Sequence, residues 1–112
     1  MRPSQALRLL HDFSYALVRD GESDLSARQL TVLLTVYLEP PPHTVRGLAA
    51  KLGVTKPVIT RALDTMGRLG LLSRRRDEAD RRNVVVQRTV KGALYVERLG
   101  DLIVEKAKDL PR

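Results

Sequence analysis

Basic side chains are concentrated in residues 43–92, where their number and spacing suit contact with a polyanion. This stretch holds twelve basic residues against four acidic ones, a surplus of eight in a chain whose net charge is +7. Lysine and arginine neutralise phosphates, and arginine also donates two parallel hydrogen bonds to the edge of a guanine. The uneven charge and the pI of about 10.4 therefore predict a polyanionic partner.

A helix is predicted over residues 56–69, which we call the recognition helix, because apolar side chains recur there at helical spacing and mark one buried face. An α-helix fits the major groove of B-DNA, where arginine reads guanine and threonine contacts a base edge or a thymine methyl group. A solvated polar face is the alternative interpretation. The side chains for DNA contact lie on the opposite face: Thr60 and Arg61 for bases, Lys56 and Arg68 for phosphate.

A second helix is predicted directly before it, over residues 44–52, and the two meet at a three-residue turn. Ala49 lets the helices cross closely. Gly53 can adopt the left-handed backbone conformation that ends a helix sharply. Ile59 fills the space between the helices. An alanine, a glycine four positions later and a branched apolar residue ten positions later indicate a helix-turn-helix.

Two β-type segments follow, separated by a polar tip, and predict a hairpin. Residues 74–82 hold five arginines in nine positions. An arginine at a hairpin tip can enter the narrow minor groove, where the negative potential is enhanced. Asp80 is a poor neighbour for phosphate unless it holds Arg82 by a charge-assisted hydrogen bond. The alternative is that this pair only stabilises the turn.

Helices flank these motifs on both sides. Residues 2–19 carry apolar side chains on more than one side, which indicates a helix that also packs against a second subunit. The next helix ends at a triple proline, which we interpret as a rigid linker rather than a ligand for a peptide-binding domain. A last helix is predicted to run to Lys108. The predicted helix caps are Ser26 with Gln29 in a capping box, Thr44, Thr55 and Thr89, and His43 is expected in a loop.

Taken together, these motifs resemble the winged helix of MarR-type transcription regulators over about residues 26–95. The resemblance rests on the helix-turn-helix followed by Gly70-Leu71-Leu72-x-Arg74, Asp77-x-x-Asp80-Arg81-Arg82, a short valine strand and Thr89-x-x-Gly92. It implies a mainly α fold with a small β-hairpin, a winged helix-turn-helix flanked by N- and C-terminal helices. Residues 1–112 are expected to form one domain: an N-terminal dimerisation helix (1–20), the core (26–88) and a C-terminal helix (89–108).

The resemblance also implies a homodimer that binds a palindromic operator in double-stranded DNA, usually as a repressor. The recognition helix would enter the major groove, and the wing, residues 73–83, the minor groove. Recognition helices of a dimer should then lie about 34–36 Å apart, one turn of duplex. The expected DNA-binding residues are Thr55, Lys56, Pro57, Thr60, Arg61, Arg68, Arg74, Arg75, Arg81 and Arg82, with Asp80 as the support of the wing.

The dimer interface is expected on the first and last helices. Family members tend to be longer, with a further C-terminal helix in the dimer, so an interface in a chain ending one helix after the wing is expected to be reduced or differently made. A small-molecule effector is left open: the family's ligand pocket lies between the dimer helices and the DNA-binding lobe, and this chain has little dimer helix and few aromatic residues. The expected interface residues are Leu7, Leu10, Phe13, Leu17, Leu99, Leu102 and Ile103.

Other classes of function find little support in the sequence. His11 and His43 are far apart, and there is no carboxylate cluster, glycine-rich phosphate loop or metal-ligand spacing, so we expect no enzyme, metal or cofactor. The chain has no cysteine, and it has neither a signal-peptide core nor an apolar run of about 20 residues. We expect a cytoplasmic protein, associated with the nucleoid when bound to DNA. Two alternatives remain: a low-specificity nucleoid or accessory DNA-binding protein, and a winged helix used as a protein-interaction module.

Overall fold

The structure is a computed structural model that describes residues 1–21 and 24–111. These residues form two compact units, Leu25–Val96 and a smaller unit of Met1–Asp24 with Glu97–Arg112. Across them lie five helices and three strands, which confirms the predicted winged helix-turn-helix fold class. The elements are α1 (Pro3–Asp20), α2 (Ala27–Leu38), β1 (His43–Thr44), α3 (Val45–Leu52), α4 (Lys56–Arg68), β2 (Leu72–Arg76), β3 (Val84–Arg88) and α5 (Val90–Lys108).

The core of the larger unit consists of apolar side chains from α2, α3 and α4. Ile59 is fully buried, as expected for the residue that fills the space between α3 and α4. The same face of α4 buries Leu63 and Met66, so the predicted helical periodicity is confirmed. The largest fully buried side chains are Leu33, Leu48, Ile59, Leu63, Met66, Val32 and Val36.

Most helix starts follow the predicted caps. Ser26 and Gln29 form the capping box at the start of α2, with bonds of 3.1 and 2.8 Å. Thr44 accepts a hydrogen bond from the Gly47 N–H at 2.9 Å and caps α3. Thr55 occupies the N-cap position of α4, but its side chain makes no capping hydrogen bond. That hydroxyl is therefore available to an external partner.

Two glycines shape the chain around α4. Gly53 ends α3 in the left-handed conformation, with φ 67° and ψ 35°, as predicted. Gly70, with φ 74°, follows α4 and lets the chain turn into β2. Two backbone hydrogen bonds close this second turn, from the Gly70 N–H to the Gly67 carbonyl and from the Leu71 N–H to the Met66 carbonyl. The first turn joins α3 to α4, and the second carries the chain from the end of α4 into β2.

The predicted hairpin is present and belongs to a three-stranded antiparallel sheet with the order β1-β3-β2. Arg74 pairs with Val86 between β2 and β3. His43, expected in a loop, lies instead in β1 opposite Val86. Its side chain is buried, and its Nε2 lies 3.1 Å from the Glu39 carbonyl oxygen. A strand of two residues has no periodicity of its own, and its pairing with β3 supplies the order.

The Tyr37 hydroxyl joins α2, the start of β2 and the start of α5. It lies 2.9 Å from the Leu71 carbonyl and 3.0 Å from the Thr89 carbonyl, and it accepts a hydrogen bond from the Thr89 N–H at 3.0 Å. Thr89 caps α5 by accepting from the Gly92 N–H at 2.9 Å, as predicted, and donates to the Gly70 carbonyl at 2.7 Å. This network holds the base of the hairpin against α2.

The smaller unit pairs α1 with the C-terminal part of α5. Gln5 donates a hydrogen bond to the Pro111 carbonyl at 3.0 Å. An apolar hollow between them is lined by residues from both helices, among them Leu9, Phe13 and Ile103. In the described part of the chain, no helix combines the length and apolar character needed to cross a membrane.

Candidate nucleic-acid interface

The outer face of α4 is polar, basic and exposed. Lys56 is the first residue of the helix and Pro57 the second, so proline occupies the first turn, where its missing N–H has no acceptor within the helix. Arg61 forms no hydrogen bond or ion pair with any described residue through its guanidinium group, so its donors are free for a ligand. The exposed residues of this face include Lys56, Pro57, Thr60, Arg61, Asp64 and Arg68.

The tip of the wing is held by hydrogen bonds from side chains to backbone groups and between backbone groups. Asp77 accepts a hydrogen bond from the Ala79 N–H at 2.9 Å, and the Asn83 N–H donates to the Asp80 carbonyl at 2.9 Å. Arg76 reaches across the tip and donates to the Arg81 carbonyl at 2.8 Å. These bonds give the tip a defined shape although it lies outside the core.

Asp80 and Arg82 form the hydrogen bond expected from their spacing. Arg82 donates from Nε to Oδ1 at 3.0 Å and from Nη2 to Oδ2 at 3.2 Å, and its backbone N–H also reaches Oδ1 at 3.1 Å. These donors, the side chain first and the backbone second, lower the pKa of Asp80 below its ordinary value of 3.8, and the charge of Arg46 acts in the same direction. Asp80 is therefore ionised at neutral pH, and Arg82 is held while remaining 81% exposed.

A groove runs between the start of α3, the outer face of α4 and the wing. Five basic side chains line it, and no carboxylate does. A concave surface of one sign concentrates field lines and raises the local concentration of an opposite charge. The groove is lined by Val45, Arg46, Lys56, Thr60, Arg74, Arg76, Arg82, Asn83 and Val84.

The groove brings together four of the ten residues expected to bind DNA: Lys56, Thr60, Arg74 and Arg82. Arg61 lines a separate hollow with Arg28, next to the start of α2. The remaining expected residues, Thr55, Pro57, Arg68, Arg75 and Arg81, are exposed outside the groove lining. Arg75 follows Arg74 in β2, and successive side chains of a strand point to opposite faces of the hairpin.

Three polar residues of the groove, Arg46, Arg76 and Asn83, are not among the residues that the sequence predicts to bind DNA. Arg76 could have been predicted from the two-residue period of a strand, which places its side chain on the same face as that of Arg74. Arg46 follows the Thr44 cap by two positions, but only the folded chain brings it to the wing. Arg88 belongs to the basic stretch and serves the fold instead: it donates to the carbonyls of Val36 and Glu39, at 2.8 and 3.1 Å, at the end of α2.

The residues expected in a dimer interface differ in how much surface they present. Leu7 and Leu10 are 68% and 61% exposed, and Ile103 is 39% exposed. Phe13, Leu17 and Leu102 are half-buried. Leu99 is buried within the single chain and has little surface left to offer. Tyr15 and Val18 on α1 are also exposed, so α1 is apolar on more than one side, as predicted.

The fold and the basic groove define the class of a winged helix-turn-helix, an architecture in which a helix enters the major groove of DNA. The model of the MarR family matches residues 23–83, more than half of the sequence. The chain therefore belongs to the MarR family, whose members are DNA-binding transcription regulators. No curated protein sequence matched the chain.

Solved structures of similar fold include two above 25% identity. CouR, a transcriptional repressor bound to a 23-mer DNA duplex, is 27% identical, with a TM-score of 0.73 over 95% of this chain and 72% of CouR. The transcriptional regulator BldR from Sulfolobus solfataricus is 26% identical, with a TM-score of 0.67 over 97% of this chain and 84% of BldR. A mutant of MepR from S. aureus is 21% identical, with a TM-score of 0.76 over 97% and 81% of the two chains, and shows the shared fold alone.

Proposed function

We propose that the protein is a sequence-specific regulator that binds a palindromic operator as a homodimer and represses transcription. In this proposal α4, within the recognition helix, enters the major groove, and the wing enters the adjacent minor groove. The observation that carries the proposal is the basic groove between them, with Arg82 held at its edge by Asp80. Such a protein would act in the cytoplasm, on the nucleoid.

Base reading is assigned to the first two turns of α4. Thr60 and Arg61 are exposed there, and the Arg61 guanidinium has no partner among the described residues. Arginine to guanine is the commonest specific contact in the major groove. Lys56 at the start of the helix and Arg68 at its end are assigned to phosphate, which fixes the register of the helix on the duplex.

Minor-groove contact is assigned to Arg82. A free arginine loses side-chain entropy when it is ordered in a narrow groove, at a cost of about 1.5–2 kcal/mol for full immobilisation. The bidentate bond to Asp80 orders the side chain before DNA arrives, so part of this cost is already met in the free protein. CouR supports the proposal, because its solved structure contains a DNA duplex and it is described as a repressor.

Self-association is assigned to the exposed apolar surface of α1 and of the end of α5. Large apolar side chains that stay exposed on one surface are typical of an interaction site. A two-fold axis through this surface would also give the two matching half-sites of a palindrome. A small-molecule effector is not part of the proposal, because the side chains that line the hollow of the smaller unit are all apolar.

Selection from a randomised pool of 30-base-pair duplexes tests the function. We expect enrichment of a two-fold symmetric sequence, bound at least about a thousandfold more tightly than a scrambled duplex. Titrations at two salt concentrations then give the number of phosphates contacted, since each releases about 0.9 counterions. Equal, salt-sensitive binding to both duplexes would support a low-specificity DNA-binding protein instead. No binding to either would favour the protein-interaction module.

Leu10→Glu tests the dimer. The wild type is expected to sediment at twice the 12.6 kDa of the chain. Each subunit of a two-fold dimer carries the substitution, so two leucines are lost from the proposed interface. We expect the dissociation constant of the dimer to rise at least about a hundredfold. Lys108→Gln, at an exposed position, changes the charge by the same one unit and should leave the dimer intact. A wild type that stays monomeric while saturating its selected duplex would refute the dimer.

A further inference from the structure

Asp64 is the one carboxylate on α4, and it lies on the exposed face assigned to DNA. It follows Thr60 by four residues, so the two share one side of the helix. A carboxylate facing phosphates repels them, and its presence on this face needs a separate reason. The structure supplies one in the neighbouring wing.

Arg74 donates a hydrogen bond from Nη2 to Oδ1 of Asp64 at 2.7 Å. Within residues 24–111 this is the one side-chain hydrogen bond that joins α4 to the wing. Arg74 also lines the basic groove, and the N–H groups of its guanidinium that do not bind Asp64 can donate to a phosphate. Asp64 thus acts on a side chain that itself belongs to the proposed DNA surface.

The bond between Arg74 and Asp64 joins α4 to the exposed part of β2. Leu72, the first residue of the strand, is buried, and the four that follow are exposed. Beyond Leu72 the side chains of β2 are exposed, so pairing with β3 holds the strand in the sheet and the bond from Arg74 ties its exposed part to α4. Arg74 pairs with Val86 in β3, so a constraint on Arg74 reaches both strands that carry the tip.

We infer that Asp64 is a positioning residue that sets the wing relative to the recognition helix, so that both reach their grooves on one duplex. The inference rests on the proposed function and assigns Asp64 no contact with DNA. Both side chains of the pair are partly exposed, 33% for Arg74 and 47% for Asp64, and exposed ion pairs contribute little to folding. The effect of Asp64 is therefore expected in DNA binding and wing orientation, with the unfolding midpoint unchanged.

Two substitutions at this position separate geometry from charge. Asp64→Ala and Asp64→Asn both remove one negative charge, which by itself strengthens binding to DNA. Asn keeps an oxygen that accepts from Arg74, and Ala does not. We expect Asp64→Ala to raise the Kd for the selected duplex about tenfold, the loss of one charge-assisted contact, and Asp64→Asn to stay within about twofold of wild type.

The Arg74→Ala background provides the control. If Asp64 acts through Arg74, adding Asp64→Ala to Arg74→Ala changes the Kd less than about twofold. Equal Kd values for Asp64→Ala and Asp64→Asn, whether tighter than wild type or not, would overturn the inference and leave the proposed function standing.

A measurement without DNA makes the inference independent of the operator. Residual dipolar couplings of the amides in residues 73–83 report the orientation of the wing relative to α4. We expect them to change in Asp64→Ala and to match wild type in Asp64→Asn. Wild-type couplings in both variants would overturn the inference. A wild type that binds no duplex would refute the proposed function, and the couplings would still decide the role of Asp64.

Discussion

Replacing Gly92 with alanine is expected to destabilise the fold by about 3–5 kcal/mol, a large part of the stability of a small domain. Gly92 is the third residue of α5. A Cβ atom at this position would overlap the Tyr37 hydroxyl and the Leu71 carbonyl oxygen. The carbonyl belongs to the backbone and cannot rotate away. The hydroxyl can move only by giving up its bonds to Leu71 and Thr89.

The cost has two parts. Forcing an atom into a packed site costs about 1–3 kcal/mol, and each hydrogen bond lost from the Tyr37 network costs about 0.5–1.5 kcal/mol more. Since the network holds the base of the hairpin, the wing is expected to lose order together with the core. Urea unfolding followed by circular dichroism measures the first effect, and amide exchange of residues 73–83 the second.

Gly100→Ala is the matched control in the same helix. Nothing lies within 4 Å of a Cβ atom built at Gly100, and its φ is not in the left-handed region. Alanine there removes only the entropic penalty of a helical glycine, so the free energy of unfolding should rise by about 0.5–1 kcal/mol. A Gly92→Ala protein within about 1 kcal/mol of wild type would show that the Tyr37 network can relax, contrary to our prediction.

Structural features that depend only on residues close together in the chain could be predicted from the sequence. The capping box of Ser26 and Gln29 needs only a three-residue spacing, and the left-handed turn at Gly53 needs only glycine after a helical pattern. The bond between Asp80 and Arg82 likewise spans two residues. Each of these is a local interaction, whose geometry is nearly independent of the rest of the chain.

Features that depend on distant parts of the chain were missed or misread. The β1 strand forms because His43 pairs with Val86, a residue 43 positions later in the chain. Gly92 reads as a weak point of a helix in sequence, but its missing side chain makes room for Tyr37, 55 positions earlier. The groove is similar: Arg46 and Arg82 meet because α3 and the wing fold towards each other. For such sites the sequence predicts only which residues of one helix or strand share a face, and not which elements meet.

Arg61→Ala and Lys56→Ala are expected to weaken DNA binding in different ways, although both remove one positive charge from α4. Arg61 is assigned to a guanine and Lys56 to a phosphate. A bidentate arginine–guanine pair discriminates by about 1–3 kcal/mol, so Arg61→Ala should lose about 5- to 150-fold in affinity for the selected duplex. Its loss on a scrambled duplex should be much smaller.

Lys56→Ala should instead weaken binding to both duplexes by a similar factor, because a phosphate contact carries no direct sequence information. It should also reduce the slope of log K against log salt by about 0.9. Repeating the selection with each variant gives a second readout: Arg61→Ala should lose its preference at one base pair of each half-site, and Lys56→Ala should enrich the wild-type sequence.

The geometry of the two side chains makes this contrast decisive. Lys56 lines the basic groove together with Arg46, Arg74 and Arg82, so in the proposed complex it would share phosphates with other cations. Arg61 lies outside that groove, and its guanidinium has no described partner to hold it, so its loss is expected to change recognition and leave folding unaltered. If both variants weaken the two duplexes equally, α4 binds by charge alone, and the sequence preference must come from the shape of the DNA or from the wing.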